Sequence, residues 1–119
     1  MRVTEYPDTH ALLRAFADPT RLRLLALLRL AKREGGGEVC VCDLVDVLEL
    51  PQPTVSRHLA ALRGAGLVLV RKDGAWSHYR LAPADGAVHR RLLGLLDVAH
   101  EGAADVRSDA SRLRRAKCC

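Results

Sequence analysis

The chain has 119 residues, 49% of them hydrophobic, and nineteen Lys and Arg against fourteen Asp and Glu leave a formal charge of +5. That length holds one domain with a modest core, the composition excludes a largely disordered chain, and no apolar run approaches the roughly 20 residues of a membrane span. Glu5, Pro7 and Asp8 stand where a signal peptide would be apolar, so a cytoplasmic protein is expected, and the positive balance favours a polyanionic partner.

The first helix is read from His10 to Ala17, where Leu12, Leu13 and Phe16 recur at helical spacing. Asp18 can cap, and Pro19 can open, a second helix running to about Lys32, with Leu22, Leu25, Ala26 and Leu28 on one stripe. Gly35, Gly36 and Gly37 end it. Asp43 to Leu48 suits a short helix, which the Leu50-Pro-Gln-Pro53 segment breaks before opening the next. That next helix extends to about Ala65, its buried stripe made by Val55, Leu59 and Leu62. Two helices joined so tightly form a helix-turn-helix.

Gly66 ends the pair, and two strand-like runs, Leu67 to Lys72 and Ala75 to Leu81, flank Asp73-Gly74. Asp-Gly between such runs signals a hairpin, here a wing carrying Arg71, Lys72 and Arg80. A last amphipathic helix spans Asp85 to about Ala104 through Val88, Leu92, Leu95, Leu96 and Ala99, and Arg107 to Cys119, basic and weakly patterned, reads as a frayed helical tail. The expected fold class is mainly α (α+β): a winged helix-turn-helix with a two-stranded β-hairpin wing. A domain over 8–104 is followed by a tail over 105–119 that ends in Cys-Cys. Leu12, Leu13, Phe16, Leu92, Leu95 and Leu96 exceed what one small domain needs, which implies a homodimer through the first and last helices. With only Phe16, Trp76, Tyr6 and Tyr79 as aromatics, base stacking on a sheet is a poor mode of nucleic-acid binding, and helices are the better readers.

The four cysteines form two close pairs, Cys40/Cys42 and Cys118/Cys119. In a reducing compartment such pairs serve as metal ligands or redox groups rather than as a disulfide framework. Soft thiolates select soft ions, and Cys40 and Cys42 stand just ahead of the helix that would read DNA. Arg112, Arg114, Arg115 and Lys117 should lower the pKa of the terminal thiols.

Ala17-Asp-Pro-Thr-Arg-Leu-Arg-Leu-Leu25, Val39-Cys-Val-Cys-Asp-Leu44, Val55-Ser-Arg-His-Leu-Ala-Ala-Leu-Arg-Gly-Ala-Gly-Leu67 and Gly74-Ala-Trp-Ser-His-Tyr-Arg-Leu81 resemble the ArsR/SmtB family of bacterial metalloregulatory repressors over roughly Leu12 to Ala99. The resemblance implies a non-enzymatic repressor that binds double-stranded operator DNA as a dimer and is released by metal. Cys40 and Cys42 look like the inducer site of arsenite-responsive members, with As(III) as inducer, antimonite as a relative and no organic cofactor. Val45 stands where the arsenic pattern has its third thiol, so Cys118, Cys119 or both are expected to complete the metal site. A Cd(II) or Pb(II) repressor using four thiols, or a thiol-redox regulator, is the alternative. A last-helix zinc site is not expected, because Ala87 and Ala103 replace the outer ligands around His89 and His100. Gln52, Thr54, Ser56, Arg57 and His58 are expected in or beside the major groove by the resemblance and by their place on the helix, with Arg71, Lys72 and Arg80 on phosphates. His58, at the edge of the buried stripe, also suits a packed, hydrogen-bonded role.

Overall fold

A computed structural model describes residues 9–99 and 104–116. Along the chain the elements are α1 (Thr9–Phe16), α2 (Pro19–Arg33), β1 (Val39–Cys40), α3 (Val41–Leu48), α4 (Gln52–Gly64), β2 (Val68–Asp73), β3 (Trp76–Leu81), α5 (Gly86–Ala99) and α6 (Ala104–Arg115). Asp18 starts α2 by accepting hydrogen bonds from the N–H groups of Thr20 (2.9 Å) and Arg21 (3.1 Å), with Pro19 in the first turn. Partial burial pushes the Asp18 carboxyl up, but those N–H groups and nearby His58 together hold it below its ordinary value.

Around α2 lie α1, α4, α5, α6 and β3. Leu24, Leu25, Ala26, Leu27 and Leu28 are therefore all buried, whereas a single stripe was expected and Leu22 is only half-buried. The stripe of α4 is as read: Val55, Leu59 and Leu62 are fully enclosed. Glu49 joins α3 to α4 in the left-handed region at φ 56°, a conformation uncommon for residues other than glycine. It lets the two helices meet across a short turn.

The hairpin is present, with its loop one residue later than the Asp73-Gly74 motif suggests. Asp73 pairs with Trp76, so Gly74 and Ala75 form the turn, and Gly74 takes a φ of 60°. The wing is also not two-stranded alone, because β1 pairs with β3 and the sheet order is β1-β3-β2. A two-residue strand has no periodicity to betray it.

At the end of the chain, the segment expected to be a frayed helical tail is helical as read, but it forms α6, packed against α2 and α3 rather than frayed. Asp109 is buried (1% exposed) and accepts two hydrogen bonds from Arg23 of α2, at 2.7 and 2.8 Å. A paired buried carboxylate anchors a helix when both its oxygens are satisfied. Asp109→Ala should lower unfolding stability by about 2 kcal/mol in urea titration, the scale of charged hydrogen bonds lost at a half-exposed arginine. An unchanged midpoint would mean that α6 is not anchored there.

The dimerisation reading needs one correction. Leu12, Phe16 and Leu96 are buried in the chain's own core and cannot form the face that a partner covers. Leu92 is half-buried, and Leu13 (49% exposed) and Leu95 (52%) do face outward, joined by Val88 and Val98. Asp97 ties α5 to α2, accepting from Arg29 at 2.8 and 3.0 Å and pairing with Arg33 at 2.7 Å; the Arg29 hydrogen bonds hold its carboxyl below the ordinary range.

His89 caps α5 in an unusual sense: its Nδ1 accepts the Asp85 N–H at 3.0 Å, while Nε2 is buried with no hydrogen-bond partner among the described residues. Nδ1 must be unprotonated to accept, and burial pushes the imidazole pKa down, with Asp85 opposing. Between that lowered value and about 6.5 the folded chain binds fewer protons than the unfolded one. The contribution to stability is whole above pH 6.5 or so and is lost as pH falls through the folded-state value. Melting from about pH 7.5 to about pH 5, above most carboxylate titration, should show a larger fall for the native chain than for His89→Leu. Equal falls would remove His89 from the account.

Candidate DNA-binding and thiol site

Cys40 ends β1 and caps α3 with extended backbone at φ −69° and ψ 141°, and Cys42 lies in the first turn of the helix. The helix thus begins at Val41, ahead of the Asp43 that the sequence suggests, and the cysteine pair straddles its junction with the strand. Cys40 pairs across the sheet with His78 of β3, which ties it to the wing. Cys42 is tied instead to α3, which leads through Glu49 into α4. Drawing the two sulfurs onto one ion would therefore act on the wing and on the helix pair at once.

Both cysteines are disulfide-bonded in this structure. Reduction must precede thiolate coordination. Among the described residues no three His, Cys, Asp or Glu side chains gather closely enough to hold a metal ion. A third donor for the Cys40/Cys42 pair has to come from elsewhere, and Cys118 and Cys119 lie outside the described residues.

The last turn of α6 does stand on this flank. Leu113 and Ala116 pack against the core, and Arg114 donates to Glu34 at 2.8 and 3.0 Å. Leu113 and Arg114 share an open cleft with Val39 and Asp43, residues on either side of the cysteine pair. Arg112 pairs with Glu49 at 3.1 Å and with Asp109 at 3.5 Å, so α6 also touches the turn between α3 and α4. Sequence reasoning missed these contacts. Their signal was acids and bases far apart in the chain, which no periodicity reports.

On α4, Gln52 and Arg57 are exposed and Thr54 and Ser56 half-exposed. These side chains are available to a partner. His58 is not arranged in the same way: its Nδ1 accepts from Arg21 Nε at 3.3 Å and lies 3.9 Å from Asp18 Oδ1. It packs α4 onto the start of α2, the alternative its position allowed. On the wing, Arg80 is exposed, Lys72 donates to Ser77 Oγ at 2.8 Å, and Arg71 is held by Glu38. Arg57, Arg63, Arg71, Lys72 and Arg80 are all exposed along α4 and the wing, a basic surface suited to a phosphate backbone.

Residues 18–69 match the family model described as "Bacterial regulatory protein, arsR family". The chain is 51% identical over 72 residues to an arsenical resistance operon repressor of Escherichia coli, covering 60% of this chain and 57% of that protein's length. It is 40% identical over 110 residues to the arsenic resistance transcriptional regulator ArsR1 of Pseudomonas putida, covering 85% of this chain and 82% of the relative. Among solved structures, the AntR antimony-specific transcriptional repressor superposes with a TM-score of 0.60 at 28% identity, over 84% of each chain. These relatives are named as regulators of transcription rather than as enzymes. A winged helix-turn-helix built on these motifs, with relatives matched over most of their length, places the chain in the ArsR family of bacterial regulatory proteins.

Proposed function

We propose that the protein is an arsenite-responsive repressor that binds operator DNA as a homodimer in the cytoplasm and lets go when trivalent arsenic is held by cysteine thiolates. The observation that carries this reading is the docking of α6 beside the Cys40/Cys42 junction, two residues short of Cys118. Trivalent arsenic on protein thiols takes three ligands in a pyramid, Cys40 and Cys42 offer two, and Cys118 or Cys119 is the third. The packing of α6 on α2 and α3 of its own chain supports a terminal thiol that acts within one subunit. Gln52, Thr54, Ser56 and Arg57 enter or border the major groove, His58 sets the seat of α4, and Arg71, Lys72 and Arg80 meet phosphates. Antimonite, a heavier ion with the same thiol preference, is the second inducer to try, as the name of the AntR relative suggests.

In the reduced chain Cys40 pulls on β3 and Cys42 on the first turn of α3, so a shared ion reorients the wing and α4 together. Coupling of about 1 to 3 kcal/mol, ordinary for allostery, corresponds to roughly 5- to 150-fold weaker operator binding. The test is operator affinity with and without arsenite for the native chain and for Cys40→Ser. The native chain should weaken within that range and the variant should not respond.

A second reading is that of a thiol-redox switch, for which Cys40 and Cys42, both able to bond as disulfides, are the candidates. Under it, oxidation rather than a metalloid controls DNA binding. Peroxide releasing DNA in the presence of a chelator, with arsenite inert on the reduced protein, would select this reading.

A further inference from the structure

Arg71, one of the wing residues expected on phosphates, is already engaged in the free protein. Its Nε lies 3.0 and 3.1 Å from the two carboxylate oxygens of Glu38, and its Nη2 donates to Oε1 at 2.9 Å. Asp73, 4.0 Å from Nη1, is a looser second partner. The sheet register explains how an acid 33 residues away reaches it. Arg71 and Cys40 both pair with His78, from opposite sides of β3, so the three share one row on one face. Continuing the alternation places Glu38 on that face, one row along beside Arg80. Glu38 spans the central strand from the β1 side to a cation on β2.

The surroundings of Glu38 are those a phosphate would find on this wing. The Arg71 hydrogen bonds, followed by the charges of Arg71, His78 and Arg80, hold its carboxyl below the usual range. Among the described residues, the other charged groups beside Glu38 are the basic His78 and Arg80, and Asp73 is the second acid beside Arg71.

We infer that Glu38 stands in for a DNA phosphate: it positions Arg71 in the free protein and sets the grip of the wing on DNA, because one ion pair must open for the other to form. This rests on the reading of the wing as a phosphate contact and is independent of arsenite. An exposed ion pair is weak, so the effect is a tuning of affinity rather than an on-off lock. Glu38 also precedes Cys40 by two residues, so the strand that bears the thiol bears the competitor as well.

The experiment is a double-mutant cycle on the reduced, arsenite-free dimer, using a duplex selected by the native protein from a random-sequence pool. Glu38→Gln should tighten binding about two- to five-fold at low salt, the range of an exposed pair, with the melting temperature checked alongside. Arg71→Ala should reduce the slope of log affinity against log salt by about one unit. In the Arg71→Ala background, Glu38→Gln should do nothing. If Glu38→Gln tightens binding equally in both backgrounds, the acid merely repels DNA and the inference fails. Unchanged or weaker binding by Glu38→Gln overturns it too, as does an Arg71→Ala variant with the native salt slope. None of these outcomes touches the arsenite reading.

Discussion

Removing Lys117 to Cys119 should leave operator affinity near native while raising the arsenite needed for half-release by more than about tenfold, the cost of losing well over 1.4 kcal/mol of coordination. The truncation ends after Ala116, so it spares the contacts that dock α6: the Asp109 pair with Arg23, the Arg114 pair with Glu34 and the packing of Leu113. Loss of response can then be assigned to the thiols rather than to an undocked helix. Cys118→Ser and Cys119→Ser, tested singly, identify which sulfur takes part. Fluorescence anisotropy of a labelled duplex during arsenite titration is the measurement, and a truncated protein that responds like the native chain would mean that Cys40 and Cys42 suffice.

The second large effect is expected on the outer face of α1 and α5. Leu13, Val88, Leu95 and Val98 are exposed there, while their neighbours Leu12, Leu93 and Leu96 are buried. Exposed apolar side chains on these two helices are candidates for an interaction surface, and a second copy of the chain is the occupant the dimer reading requires. Leu95→Glu should convert the dimer to a monomer in light scattering. Operator affinity should then fall by roughly a hundredfold or more, the scale of avidity lost when two linked half-site readers become independent. A monomeric variant with native affinity, or a native chain that is monomeric at micromolar concentration, would contradict the dimeric reading.

What was legible in the sequence followed from local chemistry. Asp18-Pro19 at the head of α2, the Val55, Leu59 and Leu62 stripe of α4, and an Asp-Gly hairpin each carry their signal within a few residues. The cysteine pair was legible for the same reason. What was not legible depends on partners far along the chain. The one fully buried residue of the α6 side chains described is Asp109, a charge, so hydrophobic periodicity gives no sign that the helical tail docks. Glu38 announces nothing until the sheet register sets it across from Arg71, and β1 exists only because β3 offers it an edge. Apolar spacing likewise found the residues of α1 and α5 without separating Leu12, Phe16 and Leu96, which serve the core, from Leu13 and Leu95, which face outward.

The most direct test of the central claim is arsenite titration of the fully reduced native chain bound to its selected duplex, run in parallel with a Cys40→Ser, Cys42→Ser double variant. Release of the native protein near one arsenite per subunit, with the double variant still bound at the same concentrations, is the result the account predicts. Release of both proteins alike, or tight arsenite binding that leaves the native complex intact, would contradict it.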